Sequence, residues 1–425
     1  MAQVFLPKGT RDLMPAAMNR RLKVIEIVRR VFAQYGFEPL ETPAFERIET
    51  LTGKSGGEDE KLMFRILKRG EAGKRGEVDA GLRYDLTVPL ARMIAMNPGL
   101  PMPFKRSQIQ PCWRADRPQR GRFREFYQCD VDTIGTTSLL ADAECIAVVH
   151  DALNALGLTD FTIKLNHRAV LHALSAAIGA KDEAEHALLV AMDKLEKIGR
   201  DGVAEELTSK GLSEAQIGQL WAFLDGEAIP GAEAAEAELQ TVLSHAADLG
   251  VDLSRVKIDR TLARGQDYYT GPVFETVLNN SDFKGSISGG GRYDGLIGMF
   301  SGKQSIPAVG VSLGIEPIFM LMEEMGLMPD TATSTQVWVT VFSEETRSAS
   351  LRAATRLRAA GLCVQVSTRV GKLSKQFKDA HSRGVPWAMI IGPDDIAAEE
   401  VSLKDMDSGE QRSSSLEDAV ARLSG

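Results

Sequence analysis

Residues 20–35, "RRLKVIEIVRRVFAQY", set Leu22, Ile25, Val28 and Phe32 on one stripe of a 3.6-residue period, and Val24, Ile27 and Val31 widen it. The spacing predicts a helix stopped by Gly36. Its apolar face is wide enough to serve a partner as well as its own domain. From about 38 to 170, short β-type runs alternate with charged loops and one helical run, "LLADAECIAVVHDALNAL". Residues 173–250 are rich in Ala, Glu, Leu and Lys and lack β-branched runs, which predicts a helical insertion. Strand character returns near 256 in "RVKIDRTLARG", "PVFETVL" and "GSISGGGRYDGL". A helix then starts at Pro317, with Ile318, Leu321, Met322 and Met325 at i, i+3, i+4 and i+7. Pro317 reads as its first position, where a missing N–H costs nothing. The polar stretch "MPDTATSTQ", 328–336, reads as a linker. Beyond it, "VWVTVF", "LCVQVS" and "WAMIIG" alternate with helical segments 344–360 and 371–383, the pattern of a small parallel α/β domain.

Composition narrows the class. A chain of 425 residues, 44% hydrophobic and 25% charged, has ordinary globular make-up and room for two or three domains. It has no run of 18 apolar residues, so no membrane span is expected, and its N-terminus lacks the apolar core of a secretory signal. Cys112, Cys129, Cys145 and Cys363 are scattered without a CxxC pair and read as reduced thiols of a cytoplasmic protein. The histidines form no HxxxH pair, so no structural metal site is expected. A net charge of -8 argues against a bulk nucleic-acid coat and leaves room for a local basic groove.

Four stretches carry candidate chemistry. "GLRYDLTVPLAR", 81–92, is expected to hold Asp85 and Thr87 on one strand face. "WRADRPQRGRFREFYQCDVD", 113–132, gathers Arg114, Arg117, Arg120, Arg122 and Arg124 around a Pro-Gly turn. In the strand that follows, Phe126, Gln128, Asp130 and Asp132 point one way and Tyr127, Cys129 and Val131 the other. An inner face bearing two carboxylates is costly unless something polar binds there, although a solvated edge strand would show the same alternation. "TLARGQDYYTGPVFE", 261–275, brings Arg264, Asp267, Tyr268 and Tyr269; "SISGGGRYDGL", 286–296, puts three glycines in a strand-like setting, a mark of close backbone approach. Each alone is weak, but arginines and carboxylates on separate strands, with glycines leaving room between them, together point to a bound polar ligand.

In this order the four stretches resemble the histidyl-tRNA synthetase family of class II aminoacyl-tRNA synthetases. "WRADRPQRGRFREFYQCDVD" is similar to motif 2, Pro43 of "LETPAFE" to motif 1, and "LARGQDYYTGPVFE" and "GGGRYDGL" to the two histidine-specific signatures. "LPKGTRDLMP" and the C-terminal "GVPWAMIIGPDDIAAEEVSLKDMDSGEQ" match as well, so the resemblance spans essentially the whole chain. It implies an α+β architecture: a class II antiparallel-sheet catalytic domain, 1–330, interrupted by the insertion at about 173–250, plus an α/β anticodon-binding domain, 336–425. It implies a homodimer joined through the 20–35 helix and the strand around Pro43. The implied reaction joins L-histidine to the α-phosphate of ATP with Mg²⁺, then passes the histidyl group to the 3′ end of tRNA(His). By resemblance, Arg114 and Arg264 hold the α-phosphate, and Asp116 and Glu316 belong to the ATP pocket. Asp85, Thr87 and Gln128 accept the substrate ammonium. Asp132 and Tyr269 pair the imidazole, with Tyr268 and Tyr293 beside them, and Gln119 and Arg120 approach the tRNA.

Three departures stand out. Asp116 replaces a more usual glutamate, Gln266 a more usual leucine, and Glu316-Pro317 stands where motif 3 reads Glu-Arg. That arginine clamps the nucleotide, so the reading predicts a phosphate pocket short of one cation and a loosely held ATP. The alternative is a non-catalytic histidine sensor, such as the regulatory subunit of ATP phosphoribosyltransferase. The loss at Pro317 favours it; the retained C-terminal domain and Arg264 oppose it.

Overall fold

The computed structural model describes residues 4–52, 62–181, 183–263, 268–302, 305–330 and 333–424. Contacts divide the chain into two units, Met1–Arg11 with Ile25–Met328, and Asp12–Val24 with Pro329–Gly425.

The first unit is built on an eight-stranded sheet. Its spine is the pair Phe104–Trp113 and Glu125–Ile134, antiparallel from Phe104↔Ile134 to Trp113↔Glu125. Ala308–Gly314, Ser288–Arg292, Pro272–Leu278 and Phe161–His167 continue it antiparallel. Only the edges are parallel, with Glu38–Pro39 on one side and Val256–Ile258 on the other. The alternation read along 126–132 holds. Cys129 and Val131 are fully buried on the face covered by the helix Leu140–Ala155, while Gln128, Asp130 and Asp132 face a cavity. The helix Ile315–Glu324 leaves directly from the strand Ala308–Gly314 and packs against Glu125–Ile134.

Several local expectations are corrected. Asp85 and Thr87 do not share a strand face. The strand Val78–Leu82 stops, and a helix, Thr87–Met96, begins at Thr87 itself. Asp85 Oδ1 accepts the Val88 N–H at 3.0 Å, and Pro89 is harmless in the first turn, so local capping outweighs strand propensity here. Pro317 is the third residue of its helix, not the first; that is still within the turn whose N–H groups have no intrahelical acceptor. The N-terminal helix runs Pro15–Gln34, and its buried stripe is Val24, Ile25, Val28, Val31 and Phe32, while Leu22 is exposed. Pro43 lies between the short strands Glu38–Pro39 and Phe45–Arg47, not within either. Buried Arg83 fixes this loop by donating to the carbonyls of Thr42 (2.6 Å), Pro43 (3.0 Å) and Pro111 (2.9 Å).

The helical run after His167 comprises Arg168–Ala177, Glu183–Asp193, Leu195–Ser209, Glu214–Leu224 and Glu233–Asp248. These helices enclose a core of their own around Leu174, Leu188, Leu207, Leu220, Phe223 and Leu239. In the second unit, a five-stranded sheet contains the expected strands as Val337–Val339, Val364–Val366 and Trp387–Ile390. It is mixed rather than parallel, because its last two strands form a hairpin, Val401–Asp405 with Gln411–Ser414, and so short a connection permits only antiparallel pairing.

The three glycines of Ser288–Arg292 differ in what they permit. A Cβ on Gly290 would stand 2.2 Å from the Gly310 carbonyl oxygen, whereas one on Gly289 meets nothing nearer than Phe274 O at 3.7 Å. Gly290→Ala is therefore expected to destabilise the chain by about 1–3 kcal/mol and Gly289→Ala by much less. Urea unfolding of the two variants checks the difference, and equal losses would contradict the packing described.

Candidate active site

Two connected cavities open on the polar face of the large sheet. The smaller, about 220 Å³, is lined by Asp85, Thr87, Gln128, Asp132, Tyr268, Tyr269 and Tyr293, all singled out in the sequence, together with Asp130. The larger, about 610 Å³, is lined by Asp116, Gln119, Arg120, Phe123, Phe126, Glu316 and Pro317, among others. Arg114, Gln128, Ser286, Gly289 and Ser312 line both. Drug-sized ligands occupy about 300–1,000 Å³, so the first cavity suits something smaller and the second a nucleotide.

The floor of the smaller cavity is a buried charge cluster. Asp130 and Asp132 are each 3% exposed, and Arg106, from the neighbouring strand and fully buried, sits opposite Asp132 in the register. Its Nη2 lies 2.7 Å from Asp132 Oδ2 and 3.9 Å from Asp130 Oδ2. Burial pushes the Asp130 carboxyl up from 3.8 to about 7, with Arg106 opposing and Asp132 adding to the rise. Asp132 is also raised by burial, against Arg106 and a hydrogen bond from the Tyr293 hydroxyl. Tyr268 stands edge-on to both Tyr269 and Tyr293, with centroids 5.0 and 5.9 Å apart. Gln128 donates to Ser312 Oγ at 3.2 Å, while Gln128 Oε1 and Asp130 Oδ1 have no hydrogen-bond partner among the described residues. Buried acceptors without donors are what a bound cation such as an ammonium would satisfy.

Gly310 makes room for this cluster, since a Cβ there would fall 2.0 Å from Asp132 Oδ1. Arg106 was missed because a lone arginine in "FKRSQIQ" reads as a solvated charge. Asp130 was visible as a carboxylate on the inner face but was given no role. Ser312 carried no signal.

Arg114 stands at the junction of the cavities. Its Nε donates to the Tyr84 carbonyl at 2.9 Å, and its guanidinium lies 5.2 Å from the Phe126 ring centroid. The turn beyond it closes through Gln119 and Arg122, which exchange backbone bonds of 3.1 and 2.9 Å. Arg120 pairs with Glu324 at 2.6 Å on the surface, and Asp116 lies 3.7 Å from Arg122. Glu316, 4% exposed, accepts the Tyr127 N–H at 3.2 Å and is paired with Arg11 from the N-terminal segment. Arg264 and Gln266 lie outside the described residues.

Comparison with known proteins agrees with this geometry. The family described as histidyl-tRNA synthetase matches residues 9–318, and that described as anticodon binding domain matches residues 336–425. A histidine–tRNA ligase of Cytophaga hutchinsonii is 40% identical and covers 100% of both chains. Another, from Gloeobacter violaceus, is 40% identical over 98% of this chain and 97% of its own. Among solved structures, histidyl-tRNA synthetase from Nostoc sp. PCC 7120 superposes with a TM-score of 0.86 at 32% identity, covering 100% of this chain and 99% of that one. A Bacillus halodurans protein titled ATP phosphoribosyltransferase regulatory subunit/histidyl-tRNA synthetase reaches 0.72 at 24% identity, with coverage of 91% and 97%.

The Asp130 carboxyl gives a pH test. Between its ordinary 3.8 and about 7, the folded chain keeps a proton that the unfolded chain has released, so stability falls as pH rises through that window. The ligand-free chain is expected to melt at a lower temperature at pH 8 than at pH 5. Asp130→Asn should make that fall measurably smaller, because it removes the group that holds the extra proton in the folded chain. An identical pH dependence in the variant would contradict the buried-carboxyl account.

Proposed function

The chain belongs to the histidyl-tRNA synthetase family, and we propose how its residues divide the work of that family's reaction. It is a histidine–tRNA ligase: it activates L-histidine with ATP to histidyl-adenylate and transfers the histidyl group to the 3′ end of tRNA(His). In our reading the smaller cavity takes histidine and the larger takes ATP. The observation that carries this division is Arg114, which lines both cavities where the two substrates would meet. A carboxylate attacking an α-phosphate brings two anions together, and a fixed cation at their junction stabilises the charge that develops. Arg264 is assigned the opposite side of that phosphate from its sequence motif alone.

Asp85, Thr87 and Gln128 receive the ammonium in this reading, with Asp130 added as a further acceptor. Asp132, oriented by Tyr293 and Arg106, pairs one imidazole nitrogen and Tyr269 the other, while Tyr268 packs between the tyrosines and Thr87. A site that pairs both nitrogens rejects other side chains because its buried polar groups would be left unpaired.

Among the described residues no group of three or more His, Cys, Asp or Glu side chains could hold a metal ion. In this reading Mg²⁺ arrives with the nucleotide, since this ion usually takes one or two carboxylates plus substrate phosphates. Asp116 and Asp282 line the nucleotide cavity and are the candidates. Bound there, Mg²⁺ would neutralise phosphate charge.

For tRNA, we assign the turn at Gln119 and Arg120 to the acceptor end and residues 336–425 to the anticodon. The Arg120–Glu324 pair is exposed, and such pairs are worth about 0–1 kcal/mol, so a phosphate can replace the carboxylate. A homodimer through the N-terminal helix and the Pro43 region is supported by the open edge strand Glu38–Pro39 and by Phe45, which is 58% exposed. A cytoplasmic location is supported by four free cysteines, and among the described residues no helix is long and apolar enough to cross a membrane. The histidine-sensor alternative rests on a likeness at 24% identity that speaks to fold alone.

The test is histidine-dependent ATP–pyrophosphate exchange without tRNA, read separately for each substrate. Arg114→Ala is expected to cut kcat by about 100-fold, the scale of losing one positioned donor. Asp132→Asn should mainly raise the KM for histidine and leave that for ATP near its original value. Histidine binding without exchange in the unmodified chain would return the case to the sensor, and the reverse pattern in the two variants would overturn the role assignment.

A further inference from the structure

We propose that Arg11, on the N-terminal segment, is the cation that completes the nucleotide pocket in place of one at Pro317. The inference rests on the larger cavity being the ATP site. Glu316 forms part of that cavity's wall and is almost fully buried, so its carboxylate faces a polyanion with little water to screen it. Such a wall repels a triphosphate unless a fixed positive charge sits against it. Pro317, the next residue, also lines the cavity and offers none.

Arg11 supplies that charge from 305 residues away in sequence. Its Nη2 donates to Glu316 Oε2, and its guanidinium carbon lies 3.8 Å from the centroid of Phe123, another residue of the cavity wall. The stacking fixes the plane of the guanidinium, and the ion pair fixes its direction. Arg11 keeps 33% of its side-chain surface exposed and acts on the pocket through Glu316, which lines it.

The segment that carries Arg11 is itself tied to the arginine-rich turn. Thr10 N donates to the Pro7 carbonyl at 3.1 Å, closing a turn. The Gly9 carbonyl accepts the Arg124 N–H at 2.8 Å, and Lys8 O accepts from Arg124 Nη1 at 3.4 Å. Gly9 lies so close to this turn that a Cβ would stand 2.7 Å from Pro118 Cγ and 2.8 Å from Arg124 Cγ. Residues 7–11 thus act as a strap across the nucleotide wall, and Arg11 is a positioning residue that neutralises Glu316. Other arginines on this wall have other attachments: Arg114 to the Tyr84 carbonyl and Arg120 to Glu324. The pocket is therefore not short of the cation whose loss Pro317 suggests.

The experiment is ATP–pyrophosphate exchange with ATP and histidine varied independently in four chains: unmodified, Arg11→Ala, Arg11→Lys and Arg11→Ala/Glu316→Gln. Arg11→Ala is expected to raise the KM for ATP about 10- to 100-fold, the factor that loss of a charge-assisted hydrogen bond corresponds to, and to move the KM for histidine less than twofold. Arg11→Lys should stay within about threefold of the unmodified chain. The double variant should recover most of the ATP affinity, because glutamine keeps an acceptor for the Tyr127 N–H but carries no charge to neutralise. An unchanged ATP KM in Arg11→Ala, or a double variant no better than the single, overturns the assignment. Absence of exchange in the unmodified chain would instead sink the functional reading on which it rests.

Discussion

The cost of burying charge in the middle of a β-sheet shapes this molecule. Asp130 and Asp132 lie side by side on one strand, nearly devoid of solvent, with Arg106 facing them across the ladder. Such a group of ions is not a route to stability, since desolvation offsets much of the attraction between opposite charges. Its arrangement dictates its surroundings. Gly310 lacks a side chain because Asp132 occupies the space, and Gly290 lacks one because the adjacent backbone does. Three tyrosines close over the carboxylates, and on the opposite face of the same strand Cys129 and Val131 are buried where a helix packs. With two carboxylates and one nearby arginine, the cluster leaves negative charge and acceptor capacity for a ligand that carries an ammonium and a ring with polar nitrogens.

Much of this was legible in the sequence, for definite reasons. The period-2 pattern from Phe126 to Asp132 holds because the strand is long, straight and paired on both sides. The insertion was visible because its residues change composition outright, and it proves to have a core of its own. Other features were hidden by local effects. Asp85 and Thr87 read as strand residues, but a helix begins at Thr87 and Asp85 accepts a backbone N–H of its first turn. The C-terminal sheet read as parallel because its first three strands are, and only the closing hairpin makes it mixed. Contacts distant in sequence could not be read at all. Arg106 gains its meaning from the register with Asp132, and Arg11 from a partner 305 residues away.

Together the two cavities form a chemical sequence in space. Buried carboxylates and tyrosines define one end, Arg114 marks the junction, and a cationic turn with Phe126 and Glu316 forms the other end. Each end is built on a different physical basis. In the proposed assignment, the histidine end draws Gln128, Asp130 and Asp132 from the strand Glu125–Ile134 and its other side chains from loops and the start of a helix. The proposed nucleotide end is built on a turn tied to residues 7–11 by a few backbone bonds. The departure at Pro317 falls in this second region, where a cation can be supplied from another part of the chain without disturbing the sheet.

In the proposed site, the Asp132 end of the sheet reads both nitrogens of an imidazole. Calorimetric titration of the ATP-free chain with L-histidine and with its two ring N-methyl isomers tests it most directly. Methylation removes one hydrogen-bonding position at a time and leaves the amino acid backbone unchanged. The account predicts that each isomer binds at least ~100-fold more weakly than histidine, because each leaves a buried polar group unpaired. If either isomer binds within about threefold of histidine, that nitrogen has no partner in the site and the account is wrong.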